Sequence, residues 1–483
     1  MPELALDTPT LVDAGKRFRR QWLYHWILNP QRVKHQAAMP EVLPTNDAHA
    51  AHQAAVDIVA YLSGESTRLP DGEQTSVDAD VDALDSDDLI DAGELLYEDL
   101  GCIACHRFTP PEESDDVQRL SLDYVSAKYR PTALVEFLRE PHAYHTSRPM
   151  PDFRLSETEA HQLAAFVVSQ SRGELDEVDL AAGNPVRGRV AYEQFGCVAC
   201  HAVEQGKLPR RDPIVSLDDW DPDELGCLSN TPEDRLPRYD FDPAEIDALT
   251  VLLDGNLDSI ESTARSEASR RLVDTLRCAA CHRRDGSPDD LTGLVLDEGV
   301  QGLAPQGIPD LSWTGEKLKE TWMHPFIEGR LSYEARPWIR ARMPEFGPYA
   351  GPLARGLPAE HGYSGASRPA PQFDRRLAEI GRDLTLQKGG FFCIECHATD
   401  QSRPVTAFDR HRGIDFPHVA SRLQYDYYRR WLLAPKRIDP VTSMPEFAGQ
   451  PKPGVLNGEI EQQFDAIWHY LMEIRHAATV DRD

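Results

Sequence analysis

Four stretches carry apolar residues at spacings of three and four: HAAHQAAVDIVAYLSG (49–64), SETEAHQLAAFVVSQS (156–171), DPAEIDALTVLLDG (242–255) and EIEQQFDAIWHYLMEI (459–474). That period gathers the apolar positions on one face and predicts a half-buried helix over each. Ser156 and Asp242 are N-cap residues, and Glu159 and Glu245, three positions on, complete capping boxes. Two further helical runs, DAGELLYEDL (91–100) and RGRVAYEQF (187–195), stop at Gly101 and Gly196, where a left-handed residue ends a helix without steric cost. No stretch alternates apolar and polar residues convincingly, so the expected fold is mostly α with long loops. Two segments break the pattern and read as linkers: the acidic DGEQTSVDADVDALDSDD (71–88) and the Gly/Pro-rich GPYAGPLARGLPAEHGYSGASRPAP (347–371).

The cysteines change the picture most. Eight of the nine fall in four CxxCH motifs, Cys102/Cys105/His106, Cys197/Cys200/His201, Cys278/Cys281/His282 and Cys393/Cys396/His397, leaving Cys227 over. CxxCH is the attachment motif of c-type haem. Its spacing has a chemical reason. Each thiol adds across one vinyl group of a porphyrin, the sulfur to one carbon and the hydrogen to the other. Two intervening residues let both sulfurs reach one macrocycle, and the adjacent His then lies under the iron. Paired CxxC motifs also build zinc sites, but zinc gives no reason for a His after every second Cys.

The motifs start at 102, 197, 278 and 393, a spacing that suits one small domain per motif. A second repeat lies downstream of them. Trp26, Phe137 and Trp431 are followed four residues on by Pro30, Pro141 and Pro435, and nine further by Met39, Met150 and Met444, each before a Pro. A longer version has Trp322, Pro325 and Met343-Pro344. Four of the seven Met residues thus share one context, which chance does not explain.

The order of helix, CxxCH, loop, short helix, Met-Pro loop and terminal helix resembles the class I cytochrome c domain. GIPDLS (307–312) resembles that family's proline-bearing loop behind the proximal His. The resemblance covers nearly all the chain from about residue 90. It implies tandem cytochrome c-like haem domains at 91–175, 184–256, 262–355 and 372–478, with a haem-less half-domain at 1–64 and an acidic linker at 65–90. It also implies four covalently attached haem c groups, held by Cys102 and Cys105, Cys197 and Cys200, Cys278 and Cys281, and Cys393 and Cys396. Extracytoplasmic, periplasmic work follows from the same resemblance, although the first residues lack the pattern of a signal peptide.

Within this frame His106 pairs with Met150, His282 with Met343 and His397 with Met444, the Met lying 44, 61 and 47 residues after its His. Met323 and His324 are rivals to Met343 whose helical context favours packing. Thioether ligation favours reduced iron and raises the potential. The second site departs from the pattern. Between Ala202 and Arg277 there is neither Met nor His, and Leu236-Pro237 stands in the Met-Pro position. His201 is therefore expected to hold a five-coordinate or weakly ligated iron, with Met39 or Cys227 as less favoured sixth ligands. The expected function is a tetrahaem relay between redox proteins, an electron carrier rather than an enzyme. The alternative is a peroxidase-like haem enzyme working at an open second haem. Other histidines, including His142, His145, His411, His418 and His469, lack metal-like spacing. Lys and Arg number 51 against 80 Asp and Glu, a net charge of −29, which repels nucleic acid and anionic lipid. No apolar run reaches the length of a membrane span.

Overall fold

The computed structural model describes residues 8–34, 37–44, 46–64, 84–147, 149–204, 239, 241–255, 264–297, 308–338, 341–363, 369–386, 388–399, 403–404, 412–440 and 442–475. The described chain is mostly α. Its only strands are two residues each, His106–Arg107 pairing in parallel with Leu120–Ser121. The predicted helices form at Ala48–Gly64, Asp87–Asp99, Glu157–Gln170, Pro185–Gln194, Pro243–Leu253 and Ile460–Glu473. Ser156 and Asp242 close both expected capping boxes. No described helix is long and apolar enough to cross a membrane.

The chain divides into two compact units, one of Met1–Glu98 with Cys102–Ser262 and the other of Thr263–Asp483 with Asp99–Gly101. Each contains two copies of one helix crossing. In the second unit Arg265–Thr275 packs on Ala350–Glu360, and Arg375–Thr385 packs on Ile460–Glu473. In the first unit Asp87–Asp99 meets Glu157–Gln170, and Pro185–Gln194 meets Ala48–Gly64. Each crossing needs a small residue. A β-carbon on Gly93, Gly188 or Gly381 would sit inside the carbonyl of Gln162, Asp57 or Ala466. In the remaining pair Gly356 comes from the later helix and lies against Ser269. The buried faces are those that the spacing predicts. Val56, Ile58 and Val59 on one helix, and Phe464, Ile467 and Trp468 on another, are at most 3% exposed, each full burial stabilising by about 1.5–3 kcal/mol.

Three expected boundaries move. Residues 8–64 are not a separate half-domain: they form one core with 180–203, in which Ile58, Val59 and Tyr61 pack with Leu180 and Tyr192, and Cys197 and Val198 lie against it. Correspondingly, 184–256 is not a domain of its own. The helix Pro243–Leu253 has no buried residue, and Val251 is 73% exposed. Finally, the Gly/Pro-rich 347–371 is no linker over its first half, because Ala350–Glu360 is the terminal helix of the third copy. Ala350, Leu353, Ala354 and Leu357 make an apolar face at i, i+3, i+4 and i+7. Gly356 gives the close approach, and Pro358 falls near the end of the helix. The boundary expected at 355 cuts this helix. Of the acidic linker, 65–83 lies outside the described residues, while Leu84 is buried and 87–90 already belong to a helix.

Within each unit the two copies are joined by reciprocal backbone hydrogen bonds. Arg19 N–H reaches Lys128 O and Arg130 N–H reaches Arg17 O; Lys319 N–H reaches Arg422 O and Gln424 N–H reaches Lys317 O. The bridges Phe18–Tyr129 and Leu318–Leu423 therefore set a common register. Counting eight from them gives Trp26, Phe137, Phe326 and Trp431. Phe326, not Trp322, is thus the counterpart of the other aromatics; Trp322 is one turn earlier, stacked on it at 4.5 Å.

Candidate haem-attachment sites

All four CxxCH motifs begin alike. The residue before the first Cys is left-handed in each: Gly101 (φ 71°), Gly196 (φ 72°), Arg277 (φ 54°) and Phe392 (φ 61°). One tight helical turn follows: Cys102–Ala104, Cys197–Cys200, Cys278–Ala280 and Cys393–Glu395. The second cysteines are placed in two ways. Cys200 closes an α turn and is exposed. Cys105, Cys281 and Cys396 instead lie one residue beyond a 3₁₀ turn and are half-buried. Their N–H groups fold back onto the carbonyls of Cys102, Cys278 and Cys393, at 3.1, 3.3 and 3.2 Å. The common CxxCH spacing thus does not give Cys105, Cys281 and Cys396 the backbone of Cys200.

None of the eight cysteines is in a disulfide. Burial pushes the Cys197 thiol up to about 11 and the Cys393 thiol up to about 12. Burial, with the Glu395 charge, raises Cys396 as well. Such thiols stay protonated. Among the described residues no three His, Cys, Asp or Glu side chains converge to hold a metal.

The imidazoles are held in a way that leaves one nitrogen for a ligand. His201 Nδ1 donates to Pro9 O at 2.8 Å, His282 Nδ1 to Pro309 O at 2.8 Å and His397 Nδ1 to Ile414 O at 2.7 Å. A ring proton committed to a backbone carbonyl fixes the tautomer and directs Nε2 outward, as in metal-ligating histidines. Burial lowers the pKa of all three rings, against the carbonyl bond, so they are neutral; at His201 the charge of His145 adds to the lowering. In the first site Leu120 holds the same register position, two residues before Leu122, and pairs with His106 along the backbone. The loops themselves are anchored alike: Leu11, Leu122, Leu311 and Phe416 donate N–H to the carbonyl of the residue after the His, Ala202, Arg107, Arg283 and Ala398. Gly413 lies so close to the His397 ring that no side chain fits there. Tyr97 and Tyr192 donate their hydroxyls to the His106 and His201 carbonyls at 3.3 and 2.7 Å.

A haem also brings carboxylates, and the site offers cations, Arg17 and Arg422 buried and Lys128 and Lys317 half-buried. Arg17, Lys128, Lys317 and Arg422 share one register position. Arg17 stacks over Tyr144 at 3.9 Å, Lys128 over Trp22 at 4.9 Å, Lys317 over Tyr427 at 5.8 Å and Arg422 over Trp322 at 4.7 Å. Burial, with Arg422 and Arg336 nearby, drives Lys317 down to about 7, and burial, with Arg336, drives Arg422 down to about 10. The Arg422 Nε is buried without a hydrogen-bond partner. Buried unpaired charge is costly, and a pair of propionates would offset it. The thiol pairs, the oriented imidazoles and these cations all fit haem c.

The predicted Met150, Met343 and Met444, and the less favoured Met39, are all half-buried in loops. Met343 and Met444 pack against the cores of their own copies. The rival Met323 is 1% exposed within a helix, a core residue, and His324 is half-buried beside Glu328. Leu236, Cys227 and His411 lie outside the described residues. His418 stacks on Tyr333 at 3.8 Å, and His469 Nδ1 accepts the Asp374 N–H at 3.1 Å.

Sequence reasoning missed three parts of the site: the carbonyl acceptors, the cations, and the pairing of sites. The Met loop of one copy lies on the His loop of its neighbour. Thr10 N–H, next to Pro9, donates to Tyr144 O at 2.8 Å, six residues before Met150. Arg283, next to His282, is 3.8 Å from Asp439, five residues before Met444. Arg412, next to Gly413, lies 4.2 Å over Trp338, five residues before Met343. The recurrence of Lys or Arg in AGKRF, VSAKY, TGEKL and VASRL is the signal that was available. The chain matches no family model, no curated protein and no solved structure.

Proposed function

We propose that the chain is a tetrahaem c-type cytochrome, built from cytochrome c-like folds in two dihaem modules, that relays electrons between redox proteins outside the cytoplasm. The observation that carries this reading is the neutral imidazole behind the CxxC pair, its Nδ1 tied to a loop carbonyl at 2.7–2.8 Å in three of the four sites. Haem c supplies a one-electron couple that needs no proton or open coordination position. The chain's part is to hold it. The paired cysteines anchor the ring, with Cys105, Cys200, Cys281 and Cys396 as the second thioether of each site. His106, His201, His282 and His397 would hold the iron through Nε2, and Met150, Met343 and Met444 would add thioether ligands. The cations beside the aromatic stacks would balance the propionates and, by offsetting that negative charge, would favour reduced iron. The contacts between Met loop and His loop support neighbouring haems within a module, as relay requires. An acidic surface suits partners with a basic docking face.

Purified protein made with a cytochrome c maturation system tests the reading. Denaturing mass spectrometry is expected to give the chain plus four haems, and stepwise reduction is expected to titrate four one-electron centres. A chain carrying no covalent haem overturns the proposal. Rapid peroxide turnover by the purified protein would favour the enzyme instead.

A further inference from the structure

We infer that the second site is completed from the opposite end of the unit, with Met39 as the sixth ligand of the iron held by His201. The inference rests on the haem reading above and adds a ligand set drawn from segments 162 residues apart (201 − 39 = 162) in reversed chain order.

Three observations carry it. The first is the imidazole clamp. The carbonyl that orients His201 belongs to Pro9, in the N-terminal segment; Thr8 and Thr10 bind the Cys200 and Ala202 carbonyls through their hydroxyls, and Leu11 N–H binds Ala202 O at 2.7 Å. Residues 8–11 are thus the His loop of site two. The second is register. From the clamp residue to the Met-Pro methionine is 30 residues from Pro9 to Met39, 30 from Ile414 to Met444 and 34 from Pro309 to Met343, and it is 30 from Leu120, which holds the same register position in site one, to Met150. The elements between are the same: Ala14–Arg17, Arg20–Leu28 and Pro30–Val33 in one case, Phe416–Arg422, Tyr425–Leu433 and Pro435–Ile438 in the other. The third is closure. Ala48–Gly64 crosses Pro185–Gln194 through Gly188, and the buried Asp57 takes two hydrogen bonds from Arg187, at 2.8 and 2.9 Å, and the Asn184 N–H at 2.7 Å. The helix that follows Leu236, by contrast, buries nothing. The sequence-based expectation of an open second iron took 205–255 as the rest of this site; the N-terminal segment fills that place.

The test is Met39→Ala in the full-length holoprotein. Haem content should stay at four per chain, while one quarter of the iron turns high-spin by electron paramagnetic resonance and binds carbon monoxide. Met39→His, which keeps a ligand, should stay fully low-spin while losing one quarter of the Met–iron charge-transfer intensity near the red edge of the oxidised spectrum. Cys227→Ala should change neither signal. A tetrahaem Met39→Ala protein with the parent spectrum overturns the inference and leaves the haem reading standing, as does a high-spin change on Cys227→Ala. A parent protein without covalent haem overturns the haem reading itself.

Discussion

The two units reach one architecture by different chain routes. In the second, each copy is contiguous: first helix, CxxCH, His loop, Met-Pro loop and last helix follow in order over 264–363 and again over 369–475. In the first, one copy is contiguous over 84–173, but the other takes its first helix and CxxCH from 184–204 and all else from 8–64. The crossing is nevertheless the same, Gly188 against Asp57 as Gly381 against Ala466. What specifies the fold is the fit of the pieces: a small residue at the crossing, a left-handed residue before the first Cys, and a loop carbonyl for the imidazole. Chain order is not part of that specification.

Changes at the crossing break this equivalence most severely. Gly188→Leu and Gly381→Leu should each destabilise their own module by about 3 kcal/mol or more, since backbone cannot yield as a side chain can. The measurement is the urea midpoint of each variant. Sensitivity at Gly381 alone would mean that the split copy is not packed like the contiguous one.

The clasp of the split copy comes next. Asp57→Asn should cost about 2 kcal/mol, read by chemical denaturation at neutral pH. Burial alone would raise the Asp57 pKa, but the bonds from Arg187 and the Asn184 N–H, with the Arg187 charge, outweigh it and hold it below its ordinary value. A carboxyl lowered on folding contributes stability that is complete above its unfolded pKa of about 3.9 and is lost as pH falls through the folded value. The parent should therefore lose more stability than Asp57→Asn on acidification through that window.

Smaller effects sharpen the comparison between the two sites of the first unit. Tyr192→Phe removes a 2.7 Å bond and should cost about 1 kcal/mol, whereas Tyr97→Phe removes a 3.3 Å bond and should cost about 0.5 kcal/mol, by thermal melts. Smallest of all, Arg189→Ala breaks an exposed pair with Glu193 and should shift stability by only about 0.3 kcal/mol.

The six helices, both capping boxes and the tight turn of the four CxxCH motifs were legible in the sequence, because they follow from rules of spacing and capping that act within a few residues. Even there the reading had a limit. Identical CxxCH spacing hides that Cys105 and Cys281 follow a 3₁₀ turn while Cys200 closes an α turn. The long-range pairings were not legible. Nothing local distinguishes Pro9, whose carbonyl clamps His201, from a proline in any loop. The helix Ala350–Glu360 was hidden for a related reason: Gly356 and Pro358 read as breakers until the partner helix at Ser269 supplies the contact that needs the glycine. The common count of 30 residues from clamp to Met is in the sequence, but it becomes visible only once the clamp is known.

Low-temperature electron paramagnetic resonance and near-infrared magnetic circular dichroism of the oxidised parent protein count the iron ligands directly. Four low-spin irons are expected, all of them His/Met. Three such irons beside a fourth that is high-spin, or low-spin without a thioether, would contradict the completion of the second site by Met39.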